Sequence, residues 1–395
     1  MTALDPHDRP VGRLLRANQS AEPDALVETL SLAIAGLGGT DVVLYLVDYA
    51  HAVLMPHPDI LPHGEKPRVA AVDGSMAGRA FVSAQPLAYE RDDGWEVWVP
   101  VTERVNQLGV LAMRLPAWNE ALAEYCVELG HAAAHLIVTS ADYTDLPHLL
   151  RRRQDMDLAA EMQWSLLPPV SFATGTTHVA GLLEPAYEVG GDCFDYAYNR
   201  GVLDVAVFDA VGHGLASAVL GSLLMGAYRH ARRNAKDLPA MVEFIDESVR
   251  ACSGKAPFAT GLLARLEVAS GQLSWISAGH PQPIIVRRGS TLAERDFVPA
   301  LPLGLGGLAK VHPDLVSMSL EPGDGVLLYT DGVVEARSAD GQPFGEDRLR
   351  DLVAREHFAG GRPQEVVRRL VRYALEHTGT RLHDDATLLY LRWGG

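Results

Sequence analysis

Four short segments of the sequence place aspartates where apolar runs end, and aspartate is a residue type that binds metal ions. The segments are Val189–Asp195 (VGGDCFD), Asp209–Gly214 (DAVGHG), Tyr329–Val333 (YTDGV) and Asp384–Thr387 (DDAT). One aspartate at the end of a strand usually forms a turn or caps a helix. Four such segments, in a chain without a CxxC pair or a paired-histidine motif, predict a site made of oxygen ligands. Oxygen ligands alone select hard cations, which here means Mg²⁺ or Mn²⁺.

The candidate ligands are Asp192, Asp209, Asp331 and Asp384, and the backbone carbonyl of Ala210 could add a further oxygen. Four carboxylates are enough to hold two such cations if one aspartate bridges them. A two-cation site lowers the pKa of a bound water and clamps phosphate oxygens. The chemistry that these residues predict is therefore hydrolysis of a phosphoester.

Short predicted strands bring these aspartates to their loops. Leu203–Phe208 runs into Asp209, Val326–Thr330 runs into Asp331, and Thr387–Leu391 follows Asp384 and Asp385. Two more strands and four helices are predicted in the same part of the chain: Leu262–Val268, Leu273–Ser277, Ala216–Asn234, Pro239–Ala251, Glu346–Glu356 and Gln364–Glu376. The pattern predicts a β-sandwich flanked by helices over residues 170–395.

The first part of the chain has a different texture. Residues 1–23 are polar and predict a flexible tail, whereas residues 24–116 contain a helix, signals for five or six strands, and the glycine-bracketed helix Gly74–Phe81. Their order resembles a GAF domain, a sensor fold, which implies a small-molecule ligand that no residue identifies. Residues 117–169 predict a helical linker, whose second helix extends from Pro147 to Leu167. The fold class is α+β.

Further motifs accompany the aspartates between residues 155 and 392. They are Glu161–Pro168 (EMQWSLLP), Ala278–Pro281 (AGHP), Leu303–Leu305 (LGL) and Pro322–Asp324 (PGD). Together with the aspartate segments, and in this order, they resemble the SpoIIE/RsbU branch of the type-2C metal-dependent protein phosphatases. The resemblance implies that Asp192 ligates one metal and that Asp209 bridges, with the Ala210 carbonyl beside it. It also implies that Asp331 and Asp384 ligate the other metal.

The same resemblance implies a reaction and a substrate. In this family a metal-bound water attacks phosphorus directly and no phosphoenzyme forms, which leaves Cys193 without a nucleophilic role. The implied substrate is phosphoserine or phosphothreonine in a signalling protein, an anti-sigma-factor antagonist. The sensor-like module would regulate this activity through the linker helices, which we expect to pair in a homodimer; the alternative is that these helices pack only on their own domains.

Four polar residues in or near the motifs allow two interpretations each. His213 and His280 either form structural hydrogen bonds or take part directly in the reaction. If the role of His213 is structural, its position near Asp209 in the sequence would allow it to orient a metal ligand. Asp195 and Asp385 either bind metal-bound water or cap local turns. Asp324 is expected to shape a turn.

The composition of the chain limits the classes of binding partner and the cellular compartments that we expect. The formal net charge of −16 argues against binding to nucleic acid or to an anionic membrane, since either polyanion would be repelled. Three widely spaced cysteines suit a reducing compartment. No apolar run reaches the roughly 18 residues of a membrane span, so we expect a soluble, cytoplasmic protein.

Two other functions compete with the phosphatase. Gly190–Phe194 (GGDCF) resembles the GGDEF signature of diguanylate cyclases, but Cys193 takes the place of the second acidic residue, and the other aspartate segments have no part in a cyclase. A binding scaffold that keeps the fold without turnover would be marked by the loss of a metal aspartate, and all four are present.

Overall fold

The structure, a computed structural model, describes residues 10–57, 64, 66–184, 186–187, 190–252, 257–308, 313–379, 382 and 384–395. The chain divides into two compact units, residues 1–155 and 156–395. Within the described ranges, no helix combines the length and apolar composition that crossing a membrane requires.

The N-terminal unit is built on one antiparallel sheet. Its six strands lie in the order β3-β2-β1-β6-β5-β4. The strands are β1 (Thr40–Val47), β2 (Val53–His57), β3 (Ala70–Ala71), β4 (Leu87–Arg91), β5 (Gly94–Glu103) and β6 (Asn106–Leu115). The helices are α1 (Pro10–Asn18), α2 (Leu26–Ala35), α3 (Met76–Ser83), α4 (Glu120–Ser140) and α5 (Leu146–Leu150). A helix, a six-stranded sheet and the short helix α3 agree with the predicted elements, while the likeness to a GAF domain stays a prediction.

Alternation along the strands gives this sheet two apolar faces. Val97 and Val99 of β5 pack with the helices α1, α2 and α4, whereas Trp98 between them packs with Phe81 of α3. Both faces are therefore covered by helices of the same unit.

The structure departs from the predicted tail and linker. Helix α1 lies within the predicted tail, and its Leu14 is buried in the core of the N-terminal unit. Helix α4 buries Cys126 and Leu129 in the same core, so it belongs to this unit. The single helix expected from Pro147 to Leu167 is instead α5 and α6 (Leu158–Leu166). Asp157 starts α6 anew, since its carboxylate accepts a hydrogen bond from the Ala160 amide at 2.7 Å.

The C-terminal unit consists of two antiparallel sheets packed face to face. One has the order β15-β12-β11-β10-β9 and the other β14-β13-β16-β17-β8-β7. The strands are β7 (Ser171–Ala173), β8 (Thr177–Glu184), β9 (Cys193–Asn199), β10 (Val202–Ala210), β11 (Ala259–Glu267), β12 (Gln272–Ala278), β13 (Ile284–Arg287), β14 (Ser290–Thr291), β15 (Val316–Ser319), β16 (Gly325–Tyr329) and β17 (Ala386–Trp393). The remaining helices are α7 (Leu215–Arg233), α8 (Leu238–Arg250), α9 (Asp331–Glu335), α10 (Glu346–Phe358) and α11 (Pro363–Thr378), with a 3₁₀ turn at Gly306–Leu308.

Three apolar layers hold this unit together. Trp275 of the first sheet and Leu389 of the second belong to the core between the sheets. On the outer side of the first sheet Phe208 packs with α7 and α8, and on the outer side of the second Leu388 packs with α10 and α11. The predicted β-sandwich flanked by helices is confirmed.

Candidate metal centre

The predicted aspartates lie where strands of both sheets end. Asp209 is the last residue but one of β10, and Asp192 lies directly before β9, its neighbour in the first sheet. Asp331 follows β16 and begins α9, and Asp384 precedes β17, the neighbour of β16 in the second sheet. The structure therefore places the four carboxylates on neighbouring strand ends of the sandwich.

Two threonines join three of the aspartate segments. The backbone amide of Thr387 donates to Thr330 Oγ1 at 2.9 Å. The hydroxyl of Thr330 donates in turn to Asp192 Oδ2 at 2.6 Å. All three residues are buried. This relay fixes the orientation of the Asp192 carboxylate from two strands of the opposite sheet.

Asp385 holds the loop that carries Asp192. Its Oδ1 accepts from the Gly190 amide at 2.8 Å and its Oδ2 from the Asp192 amide at 3.2 Å. Asp385 thus holds a loop in a distant part of the sequence and not the local turn that was expected, whereas its binding of metal-bound water stays a prediction. A side chain at Gly191 would collide with the carbonyl oxygen of Ala210, so glycine allows this loop to approach the end of β10 closely.

The carboxylates perturb one another electrostatically. Burial, followed by the charges of Asp331, Asp384 and Asp385, raises the pKa of Asp209 to about 6. Burial and then the charges of Asp385 and Asp209 raise the pKa of Asp192 well above its usual range. A cation would relieve this mutual repulsion.

The donor set fits a hard divalent cation, since it consists of carboxylate oxygens and the Ala210 carbonyl. Among the described residues, no three carboxylate, imidazole or thiol side chains are already arranged as the ligands of one ion. The observations that favour a cation are thus the all-oxygen chemistry and the raised carboxylate pKa values, rather than a finished coordination sphere.

His280 links strands of the two sheets that lead to the centre. Its Nε2 donates to the carbonyl of Tyr329, the last residue of β16, at 2.9 Å. Its Nδ1 lies 2.7 Å from Oγ1 of Thr260, which pairs with Asp209 in the β10–β11 register, and accepts from that hydroxyl. Burial lowers the pKa of His280 to about 4, so the ring is neutral at physiological pH. His280 is structural, whereas His213 lies exposed in the loop before α7.

Asp195 bonds to side chains of a distant helix and not to a local turn, whereas its binding of metal-bound water stays a prediction. Its buried carboxylate accepts from Arg229 at 3.0 and 3.1 Å and from Arg232 at 3.0 Å, and Arg229 also donates to the carbonyl of Leu166 at 2.6 Å. Asp195 is thus the anion of a buried ion-pair network between β9, α7 and the end of α6. The segment YAYN that follows it gives no sequence signal of partners on a distant helix.

Two further residues behave as expected. Asp324 shapes a turn by accepting from the Glu321 amide at 2.8 Å, and it also pairs with Arg287. Burial, and then the charge of Asp192, raises the pKa of the Cys193 thiol well above its usual value. A protonated, buried thiol is a poor nucleophile, which agrees with the absence of a covalent role.

Sequence reasoning missed the roles of Thr330 and Thr387. Both stand inside the aspartate motifs, as the second residue of YTDGV and the last of DDAT, so a signal was present. What the motifs could not show is that the two threonines bond to each other and to Asp192.

Comparison with known proteins agrees with this geometry. Residues 199–394 match the family model described as Stage II sporulation protein E (SpoIIE). The chain is 24% identical over 241 residues to phosphoserine phosphatase RsbU of Bacillus subtilis (strain 168), covering 61% of this chain and 70% of that protein. It is 22% identical over 270 residues to protein IcfG of Synechocystis sp. (strain ATCC 27184 / PCC 6803 / Kazusa), covering 60% of this chain and 41% of IcfG.

A solved structure shares the fold of the C-terminal unit. The SiaA-PP2C domain of Pseudomonas aeruginosa superposes with a TM-score of 0.51 at 23% identity, covering 60% of this chain and 94% of that one. Diguanylate cyclases carry the GGDEF signature on a different α/β fold. The two-sheet sandwich therefore excludes the interpretation of GGDCF as a cyclase motif. The C-terminal unit is similar to SpoIIE/RsbU-type, PP2C-like phosphatase domains, and the protein is a protein serine/threonine phosphatase.

Proposed function

We propose that the protein hydrolyses phosphoserine or phosphothreonine in a signalling protein, an anti-sigma-factor antagonist, at a centre of two Mg²⁺ or Mn²⁺ ions. The observation that carries the proposal is the set of electrostatically coupled aspartates on neighbouring strand ends of the two sheets. The resemblance of the motifs, together with a relative whose name is phosphoserine phosphatase, supports the choice of substrate.

Each residue of the centre has a distinct task in this proposal. Asp209 and the Ala210 carbonyl would hold the cations from the end of β10. Asp192 would be a further ligand, with its carboxylate oriented by the Thr330 hydroxyl. Asp331 and Asp384 would complete the set; both are exposed, which leaves that side open to a phosphoprotein. When bound, the cations would supply an activated water and positive charge for the phosphate oxygens.

The residues around the centre favour direct hydrolysis over a covalent route. The Cys193 thiol is buried and protonated, and both ring nitrogens of His280 are engaged in hydrogen bonds within the fold. His213 is the exposed histidine closest in sequence to Asp209, and no contact of its side chain assigns it a role in the reaction.

The metal requirement is tested by chelation and reconstitution. The protein is treated with a chelator and assayed on p-nitrophenyl phosphate and a phosphoserine peptide, with Mg²⁺ or Mn²⁺ restored separately. We expect activity to vanish on chelation and to return with at least one ion, accompanied by a rise in the melting temperature on metal addition. Full activity after thorough chelation would contradict the two-metal centre.

We further propose that the N-terminal unit, with an unidentified small-molecule ligand, regulates the phosphatase within a homodimer. In the N-terminal unit, large apolar side chains are exposed at the end of α4, in the turn that follows it and on α5: Val138, Tyr143 and Leu149. Such a concentration of apolar surface favours burial against a second copy of the chain. Coupling of this kind is typically worth about 1–3 kcal/mol, or several-fold to a hundredfold in activity.

Regulation is tested by comparing the full chain with residues 156–395, which retain α6 and β7. We expect different specific activities, and a dimeric mass for the full chain by light scattering. Two monomers with equal turnover, with and without candidate ligands, would remove the regulatory role.

A further inference from the structure

We infer that a cleft beside the metal centre docks a basic, apolar segment of the phosphoprotein substrate. The cleft lies between α8 and the loop from Ala300 to Gly306 and has a volume of about 430 Å³. The inference rests on the proposed function, because it assigns the surface that would hold the polypeptide around the phosphoserine.

The walls of this cleft are fixed by a single carboxylate. Asp246 Oδ1 accepts from the backbone amides of Gly304 and Gly306, each at 2.8 Å, and its Oδ2 lies 3.1 Å from Arg250 Nε. Gly304 has a φ of +97°, and a side chain there would collide with the carbonyl oxygen of Pro257. The LGL motif thus belongs to a loop that is hydrogen-bonded to α8. These hydrogen bonds fix the position of the loop relative to the helix, and therefore the shape of the cleft.

The same loop leads to the metal centre. Leu303 and Ala259 exchange two backbone hydrogen bonds, at 3.0 and 2.8 Å, and Ala259 pairs with Ala210 in the β10–β11 register. Since neighbouring strands lie about 4.8 Å apart, Leu303 is roughly 10 Å from Ala210. An extended peptide advances about 3.3 Å per residue, so a side chain in the cleft would be about three to five residues from the phosphoserine.

Charge and polarity indicate what the cleft accepts. Glu243 and Glu247 lie one helical turn apart on the exposed rim, whereas the carboxylate of Asp246 is already satisfied by its amides and Arg250. Val242 and Ala300 are buried and give the cleft an apolar floor. An arginine or lysine would meet the rim carboxylates while an adjoining apolar side chain covers the floor.

The test uses two phosphoserine peptides that differ only in the residues three to five positions from the phosphoserine, on either side. One carries arginine with leucine at these positions, and the other carries glutamate with leucine. We expect the wild-type, metal-loaded full chain to prefer the arginine peptide about tenfold in kcat/KM, mainly through KM. In the double variant Glu243→Lys/Glu247→Lys the preference should invert.

A matched control separates docking from general charge effects. Glu376→Lys changes an exposed glutamate on α11, which packs on the other sheet, and should leave the preference of the wild type unchanged. Equal kcat/KM for both peptides, or an unchanged preference in the double variant with a wild-type melting temperature, would overturn the docking site. If the double variant keeps the wild-type preference for the arginine peptide but has the mass of a monomer, the cleft is an interface between copies of the chain and the docking proposal is wrong. Failure of the wild type on p-nitrophenyl phosphate as well would count against the proposed function itself.

Discussion

Asp209→Asn should stabilise the metal-free protein while it inactivates the enzyme. Asp209 is half-buried beside three other carboxylates, and in the absence of cations its charge is repelled by them. The asparagine keeps the size of the side chain and removes the charge. It would also deprive both proposed cations of their shared ligand.

The magnitude follows from the pKa of Asp209, which is raised from 3.8 to about 6. A raised pKa means that the folded protein holds a proton that the unfolded chain has released, so stability falls as pH increases from about 4 through about 6. The full difference corresponds to ~3 kcal/mol at pH 7.5, and solvent screening at this partly exposed position reduces it to about 1.5 kcal/mol. For a unit of this size the melting temperature should rise by about 3–6 °C.

The assay is thermal unfolding at pH 7.5 in a chelator, followed by titration with Mg²⁺ or Mn²⁺. The wild type should gain stability on metal addition and the variant should gain little. Turnover of a phosphopeptide should fall at least about a hundredfold, because a neutral amide is a weak ligand for two dications. The stabilisation in chelator should disappear below about pH 4, where the unfolded chain also binds the proton.

Asp195→Asn is the matched control, since it removes a carboxylate that attracts two arginines. The variant leaves the two guanidinium groups without their anion and should lower the free energy of unfolding by about 3–5 kcal/mol, with or without metal. Unchanged or lower stability of Asp209→Asn in chelator, together with a wild-type response to metal, would refute the electrostatic reasoning and remove Asp209 from the centre.

Three further predictions concern contacts described above. Thr330→Val removes the hydroxyl that orients Asp192 and should weaken metal affinity about tenfold, measured by titration calorimetry, whereas Thr330→Ser should bind as the wild type does. His280→Gln should lower the free energy of unfolding by about 2 kcal/mol at pH 7.5, measured with a denaturant. Because the pKa of His280 is lowered from 6.5 to about 4 in the folded protein, the wild type loses stability as pH falls from 6.5 to about 4. The difference in unfolding free energy between the variant and the wild type should therefore shrink over that pH range. Tyr143→Asp/Leu149→Asp should halve the mass found by light scattering, whereas Leu32→Asp on α2, also exposed, should not.

The sequence predicts the parts of this fold that local patterns encode. Apolar runs that lead into an aspartate identify β10 and β16, and helical periodicity identifies α7, α8, α10 and α11. Sequence patterns do not identify β7 and β8, although β8 is the strand that pairs with β17 along its whole length. Leu182 and Leu183 of β8 are both buried, so the strand lacks the clear alternation of a half-exposed one.

The contacts that shape the centre could not be predicted in the same way. Asp385 bonds to the Gly190 amide, and Thr330 bonds to Asp192, across long stretches of chain. Nothing in the neighbourhood of either residue specifies its distant partner. Asp195 shows the same limit, because its two arginines follow one another on a face of α7 that only the packing against β9 reveals.

The bond between Asp385 and the Gly190–Asp192 loop has a consequence for the order in which the centre can form during synthesis. The loop leaves the ribosome early, whereas Asp384, Asp385 and β17 follow only after both α10 and α11. A nascent chain that has reached Tyr329 therefore carries Asp192 and Asp209 without the carboxylate that holds their loop or the amide of Thr387 that fixes Thr330. Contacts so distant in sequence require the closure of long loops, which slows their formation. Hydrolytic activity should thus be withheld from every partly translated chain until the last strand of the sandwich has inserted between β16 and β8.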